Sequence, residues 1–246
     1  MALNGALSAL YSFFVTKLPY ITIAVFLLGV AYRLQRWLSA PKGPKGPPLH
    51  WPSALKYVVL DVVLFRKTYK TDKLMWLVLV LFHIGTEGIL FGHMRGFHLW
   101  SVSMFEVLGH GFAEFMVDTL PVYMGWMFLA TQIYLLYRRT RLEGKQLQSL
   151  ANDYGVLIIL LITSILGQGM RVFPPEAIPT ETYSVVFIPN LIVLHLEKVP
   201  SHHWFFWHVL FTQLLVMYLP WSKLVHAVSG VVTSALYGSR RREYDI

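Results

Sequence analysis

The chain has 246 residues, 55% of them hydrophobic and only 14% charged, with a mean hydropathy of +0.52. Long apolar runs at this composition exclude an ordinary soluble domain and indicate an integral membrane protein, for which the bilayer is the solvent. The absence of cysteine excludes disulfides, thiolate-bound clusters and covalent c-type haem. The net charge of +8 follows membrane topology rather than a nucleic-acid footprint.

The opening, MALNGALSAL, lacks a charged n-region followed by a cleavage site and does not read as a removed signal peptide. The first predicted span is 14–36, close to the ~20 residues that a crossing helix needs. PKGPKGPP at 41–48 is stiff, basic and unable to form a helix. It leads into 53–72, where Leu55, Val58, Val59, Val62 and Val63 recur at helical spacing, interrupted by Asp61, Arg66 and Lys67. That pattern predicts an amphipathic helix at the cytoplasmic surface, lying on lipid headgroups or docking a partner. The second span, 73–95, contains LVLVLFHIGTEGILFGHMRGF, with His83 and His93 ten residues apart and Glu87 between them. The third span is 114–137 and the fourth 152–172. Residues 173–202 are apolar enough to fold back as a cap over the outer helix ends. The fifth span, 203–228, carries His208 and His226, eighteen residues apart. The expected fold is therefore an all-α integral membrane protein with five transmembrane helices, forming a single membrane domain over 1–246.

Lys and Arg set the orientation. Seventeen of the 21 fall in the 1–2 connection, the 3–4 connection and the C-terminal side. Only Lys17, Arg95, Arg171 and Lys198 lie on the opposite side. The N-terminus is expected outside and the C-terminus in the cytoplasm.

Polar groups in hydrocarbon are costly without partners, so the four intramembrane histidines need a reason. Span two runs outward and span five inward. At 1.5 Å per residue, His83 lies ~15 Å into its helix and His93 another ~15 Å on. The four sort by depth into His93 with His208 outside and His83 with His226 inside. Eighteen residues is five full turns, so His208 and His226 are expected on one face, with Pro220 able to bend the helix between them. Imidazoles facing each other across a helix pair suit bis-His ligation of haem iron, which takes the neutral ring. The alternative is that they form helix–helix hydrogen bonds. Gly85, Gly88 and Gly92 would let a flat macrocycle approach the backbone. Haem propionates want cations at the membrane edges: Arg95 and Arg171 outside, Arg33, Arg36 and Lys223 inside. Two b haems are the expected cofactors.

LFHIGTEGILFGHMRGF and WHVLFTQLLVMYLPWSKLVH resemble the two haem-binding helices of the respiratory nitrate reductase gamma-subunit family, in both histidine spacings and in the ending from Pro220 to His226. LPYITIAVFLLGVAYR is similar to that family's first helix. The resemblance implies a five-helix, di-haem cytochrome b with the same ligand pairing. The basic connection holding LDVVLFRKTYKTDKLMW looks more like the membrane subunits of heterodisulfide reductase and of the Dsr sulfate-reduction complex. It implies a cytoplasmic iron–sulfur partner of the heterodisulfide-reductase type, with other membrane or outer-side subunits possible, in anaerobic respiration. It further implies a membrane quinol, menaquinone or similar, as donor at the outer haem, in an electron-transfer subunit of a quinol-linked oxidoreductase.

Quinol oxidation needs a proton acceptor. His110 and Glu114 are i, i+4 on one helix face, and Asp118 continues it. The family places a functional polar residue near Glu114, but its cation there is absent, with Ala113 and Glu114 in that neighbourhood. Glu87 is a further candidate, either protonated and hydrogen-bonded or part of a proton path. His98, His195, His202 and His203 read as solvated loop or helix-end residues. The competing functions are a haem-free membrane anchor and a His/Glu-lined metal transporter; no nucleic-acid role is expected.

Overall fold

A computed structural model describes residues 8–41, 48–143, 151–173, 187–194 and 203–241. Among them every regular element is helical. In chain order these are α1 (Ser8–Leu38), α2 (Trp51–Tyr57), α3 (Arg66–Thr71), α4 (Lys73–Met94), α5 (Ser103–Glu106), α6 (His110–Arg141), α7 (Ala151–Val172), α8 (His203–Tyr218) and α9 (His226–Arg241). A helical turn at 187–192 lies between α7 and α8.

Among the described residues, four helices are long and apolar enough to cross a membrane: Ser8–Leu38, Lys73–Phe97, His110–Arg141 and Tyr154–Val172. A bent pair, His203–Trp221 with Lys223–Arg240, makes a fifth if it is one span. The first four agree with the predicted spans to within a few residues. The fifth is not the continuous helix expected over 203–228. α8 stops at Tyr218, 3₁₀ turns follow at Leu219–Trp221 and Lys223–Val225, and Ser222 between them is extended (φ −89°, ψ 172°). Pro220 is the cause. It has no N–H to donate, and its ring collides with the carbonyl of a continuing α-helix. The five-turn argument that put His208 and His226 on one face therefore does not apply. His226 opens a new helix.

The chain divides into two compact units, Met1–Ala24 with Leu81–Val216, and Val25–Val80 with Met217–Ile246. In the first, α1, α8 and the turn at 187–192 meet in a small apolar core of Val15, Phe187 and Phe205. The Tyr20 hydroxyl donates to the Leu191 carbonyl at 2.6 Å. The described part of the expected outer cap, 187–194, thus does pack on helix ends. Polar contacts also tie the helices together. The α1 backbone widens into a π turn at Phe13–Lys17, and such a turn frees a carbonyl from the i→i−4 ladder. Gln213 on α8 donates its amide to the Phe14 carbonyl (3.0 Å) and accepts from the Thr22 hydroxyl (3.2 Å). Between α6 and α7, Gln132 donates to the Ser164 hydroxyl (2.9 Å) and Gln168 to the Val122 carbonyl (3.1 Å). Lipid offers helices no hydrophobic driving force to associate, so side-chain amides and small residues do that job.

In the second unit, α2 packs along α9. A Cβ on Gly238 would collide with that of Tyr57, so only glycine lets the helices approach this closely. The His50 N–H donates to the Ser239 hydroxyl at 2.6 Å, and the Tyr57 and Tyr237 rings meet edge to face at 5.8 Å. Elsewhere in this unit, Gly29 leaves room for the Pro220 ring, and Arg33 donates to the carbonyls of Pro220 (2.8 Å) and Trp221 (3.4 Å). The carbonyls of Pro220 and Trp221 at the break between α8 and α9 thereby have a donor.

Candidate functional site

His93 on α4 and His208 on α8 come together. Their ring centroids are 6.2 Å apart, with planes inclined by 23°. No direct hydrogen bond joins the rings. His93 Nδ1 donates to the Ile89 carbonyl (2.8 Å), one helical turn back on its own helix. His208 Nδ1 donates to the Thr163 carbonyl of α7 (2.9 Å). A carbonyl oxygen can only accept, so each Nδ1 must carry the proton. In the neutral ring that leaves Nε2 as a lone pair, the tautomer a metal takes. His226 is prepared in the same way, its Nδ1 donating to the Lys223 carbonyl at 2.7 Å.

The outer pair brings together two imidazoles whose Nε2 atoms are uncommitted, a donor set that suits a metal ion. A haem iron bound between the rings fits this donor set. Among the described residues, no group of three or more His, Cys, Asp or Glu gathers as a cation cage would; the arrangement found is a pair. His83 lies in the first unit with His93 and His208, and His226 in the second.

Two positioning features escaped the sequence reading. Thr163 acts through its carbonyl, which its side chain does not advertise. Gly167, one turn further along α7, seats the ring. A Cβ there would come 2.9 Å from His208 Cε1 and 3.2 Å from Nδ1. The signal was present in ILGQGM, because glycine inside a helix is destabilising and implies a close approach. Gly85 and Gly88 let α4 and α6 pack closely, and Gly88 also lines the cavity described below. Their missing side chains are replaced by Phe128 and Met124 of α6. Gly92 has nothing within 4 Å of where a Cβ would be.

Arg95 and Arg171 line one cavity of about 170 Å³ between α4 and α6, together with Gly92, Trp100, Met116 and Met124. Arg171 also donates to the Val117 carbonyl (3.3 Å), inside the π turn Phe115–Thr119 of α6. The Arg95 guanidinium stands 5.9 Å from the centre of the Trp100 ring. Arg33 sits on the break in the fifth span as described, Arg36 donates to the Tyr32 hydroxyl (3.3 Å), and Lys223 is exposed beside His226. His110, Glu114 and Asp118 are exposed at the start of α6, and Glu87 is exposed on α4 one turn from His83. His98 ends the last turn of α4 in a left-handed conformation (φ 54°), and His203 is exposed at the start of α8. His195 and His202 lie outside the described residues.

These features define a multi-pass membrane protein in which two imidazoles from different helices meet. Residues 66–241 match the model of the nitrate reductase gamma subunit, and the chain belongs to that family. Among characterised relatives, an Hdr-like menaquinol oxidoreductase cytochrome b-like subunit of Archaeoglobus fulgidus is 26% identical over 85% of this chain and 74% of its own. Its counterpart in Archaeoglobus profundus is 24% identical over 89% and 76%. One of the subunits of the dihydromethanophenazine:CoB–CoM heterodisulfide reductase of Methanosarcina thermophila is 24% identical over 74% and 87%. The lean of the basic connection toward heterodisulfide-reductase-type membrane subunits agrees with these relatives.

Proposed function

We propose that the chain is the cytochrome b subunit of a quinol-linked oxidoreductase complex, passing electrons between a membrane quinol at the outer side and a cytoplasmic iron–sulfur subunit of the heterodisulfide-reductase type. The observation that carries this reading is the His93–His208 pair, with both Nδ1 atoms committed to carbonyls and both Nε2 atoms left for a metal. The family and the oxidoreductase names of the relatives support the redox class.

Bound haem iron supplies one-electron redox chemistry. In this reading two b haems are held, the outer by His93 and His208 and the inner by His83 and His226. The carbonyls of Ile89, Thr163 and Lys223 hold three of these rings in the ligating tautomer. Arg95 and Arg171 offer guanidinium groups to the outer propionates, and Arg33, Arg36 and Lys223 offer cations to the inner ones. Menaquinol or a similar quinol gives up its hydroxyl protons to acceptors among His110, Glu114 and Asp118 at the start of α6 and Glu87 on α4. The whole chain forms one membrane domain, N-terminus outside and C-terminus cytoplasmic, with 53–72 at the cytoplasmic surface.

The deciding experiment is a reduced-minus-oxidised optical spectrum of the purified chain with a pyridine haemochromogen count, beside His93→Ala and His226→Ala. Two b haems in the parent and one in each variant are expected. Folded protein that never contains haem, when produced with haem supplied, would overturn the cytochrome reading in favour of a membrane anchor.

A further inference from the structure

The stretch from Trp51 to Thr71 is clasped in one orientation. Its inner side is Ala54, Tyr57 and Asp61: Ala54 and Tyr57 are buried, and the Asp61 side chain is 3% exposed. Asp61 pairs with Arg66 at 3.0 Å and Lys67 at 3.5 Å. The same two cations stand over aromatic rings, Arg66 at 5.0 Å from the centre of Tyr57 and Lys67 at 4.9 Å from Tyr237 of α9. Phe65, just before Arg66, turns the backbone with φ 48°, and Trp76 on α4 holds this turn by donating to the Leu64 carbonyl at 2.9 Å.

This clasp turns the apolar residues outward. Trp51, Leu55, Val59 and Val63, each four apart, are 72%, 65%, 40% and 60% exposed. Val58–Val63 is a π turn, which keeps Val63 on the stripe. The stripe is too short to cross a bilayer. It is tied to the membrane by chain connectivity, since α4 begins at Lys73. Lys56 and Lys70 are exposed beside it, and Lys67 and Lys73 add to the excess of cations over Asp61 and Asp72. Apolar side chains on one face with lysines along the edge and Trp and Tyr at the ends suit an interface of acidic headgroups over acyl chains.

We propose that this stripe is an anchor for acidic phospholipid: Trp51, Leu55, Val59 and Val63 enter the acyl boundary while Lys56 and Lys70 meet headgroup phosphates. The proposal rests on the placement of 53–72 at the membrane surface but not on haem. Because the chain has no cysteine, single cysteines at Leu55, Val63 and Lys56 can be spin-labelled in the full chain, reconstituted into nanodiscs of acidic or zwitterionic phospholipid. Collisions with oxygen report lipid, and collisions with a water-soluble nickel chelate report water. In acidic discs, labels at 55 and 63 are expected to favour oxygen and the label at 56 to favour nickel. Lys56→Gln and Lys70→Gln, made in the Leu55→Cys background, should each shift the lipid-immersed to aqueous ratio about fivefold toward water. A label at 55 that favours nickel in both disc types would overturn the lipid occupant and leave the face for a protein. Immersion at 55 that is indifferent to lipid charge would overturn the acidic preference. Labels at 55 and 56 both deep in lipid would instead overturn the surface placement itself.

Discussion

A histidine side chain becomes a metal ligand only when something fixes its proton and its direction. For the proposed ligands that something is the backbone: carbonyls at Ile89, Thr163 and Lys223 bind the Nδ1 protons of His93, His208 and His226. The residue types were legible in the sequence, because imidazoles in apolar helices stand out. The carbonyls were not, since every residue carries one and only the packing of α7 against α8 selects Thr163. Gly167 provides a direct test. Gly→Ala in a helix interior normally stabilises by about 0.5–1 kcal/mol. At Gly167 the added methyl would stand 2.9 Å from the His208 ring and must displace it. Gly167→Ala is expected to lower occupancy of the outer haem or move its midpoint potential, leaving the inner haem unchanged. A redox titration followed optically checks this, and an unaltered titration would remove Gly167 from the site. His208→Ala should abolish the outer haem entirely while retaining the helical circular dichroism of the parent.

Helical elements depart from regularity where a proline or a π turn intervenes, and several of these departures have a polar partner. Gln213 meets the Phe14 carbonyl freed by the π turn in α1. Gln213→Leu keeps the volume but leaves that carbonyl buried and unpaired, at a cost of about 1–3 kcal/mol; a lowered Tm in detergent is the readout. The break in the fifth span is likewise supported, for Ser222 accepts from the Leu224 N–H at 3.1 Å and is only 4% exposed. Ser222→Ala should cost about 1 kcal/mol as a lost cap. It should also loosen His226, read as partial loss of the inner haem on dialysis, where Thr in place of Ser would restore binding. Span positions were readable from the apolar runs to within a few residues. The break was only hinted at by Pro220, because hydropathy is blind to whether a run is one helix or two. The surface stretch was legible only in part. Its valines and leucine do recur at helical spacing, but the face that packs on α9 is the one with Tyr57 and Asp61.

For the whole molecule, composition alone settled the membrane class, and the family match over 66–241 agrees with it. The division into two units left no trace in the sequence, since three of the long helices contribute residues to both. Topology is the property best tested at this scale. With Lys and Arg split seventeen to four, alkaline phosphatase fused after Arg141 should be inactive and fused after Val172 active, the reverse holding for a cytoplasmic fluorescent reporter. The opposite pattern would invert the assignment of outer and inner ligands together.

The interruption at Ser222 bears on how such a protein can change over time. In an unbroken helix, one inserted or deleted residue rotates everything beyond it by about 100°, so ligand spacing is rigidly constrained. Here the direction of His226 is set within four residues, by Ser222 and by the Lys223 carbonyl. Mutations that lengthen or re-pack α8 can therefore accumulate without turning the second imidazole. One end of this segment is free to drift in sequence while the other keeps its chemistry.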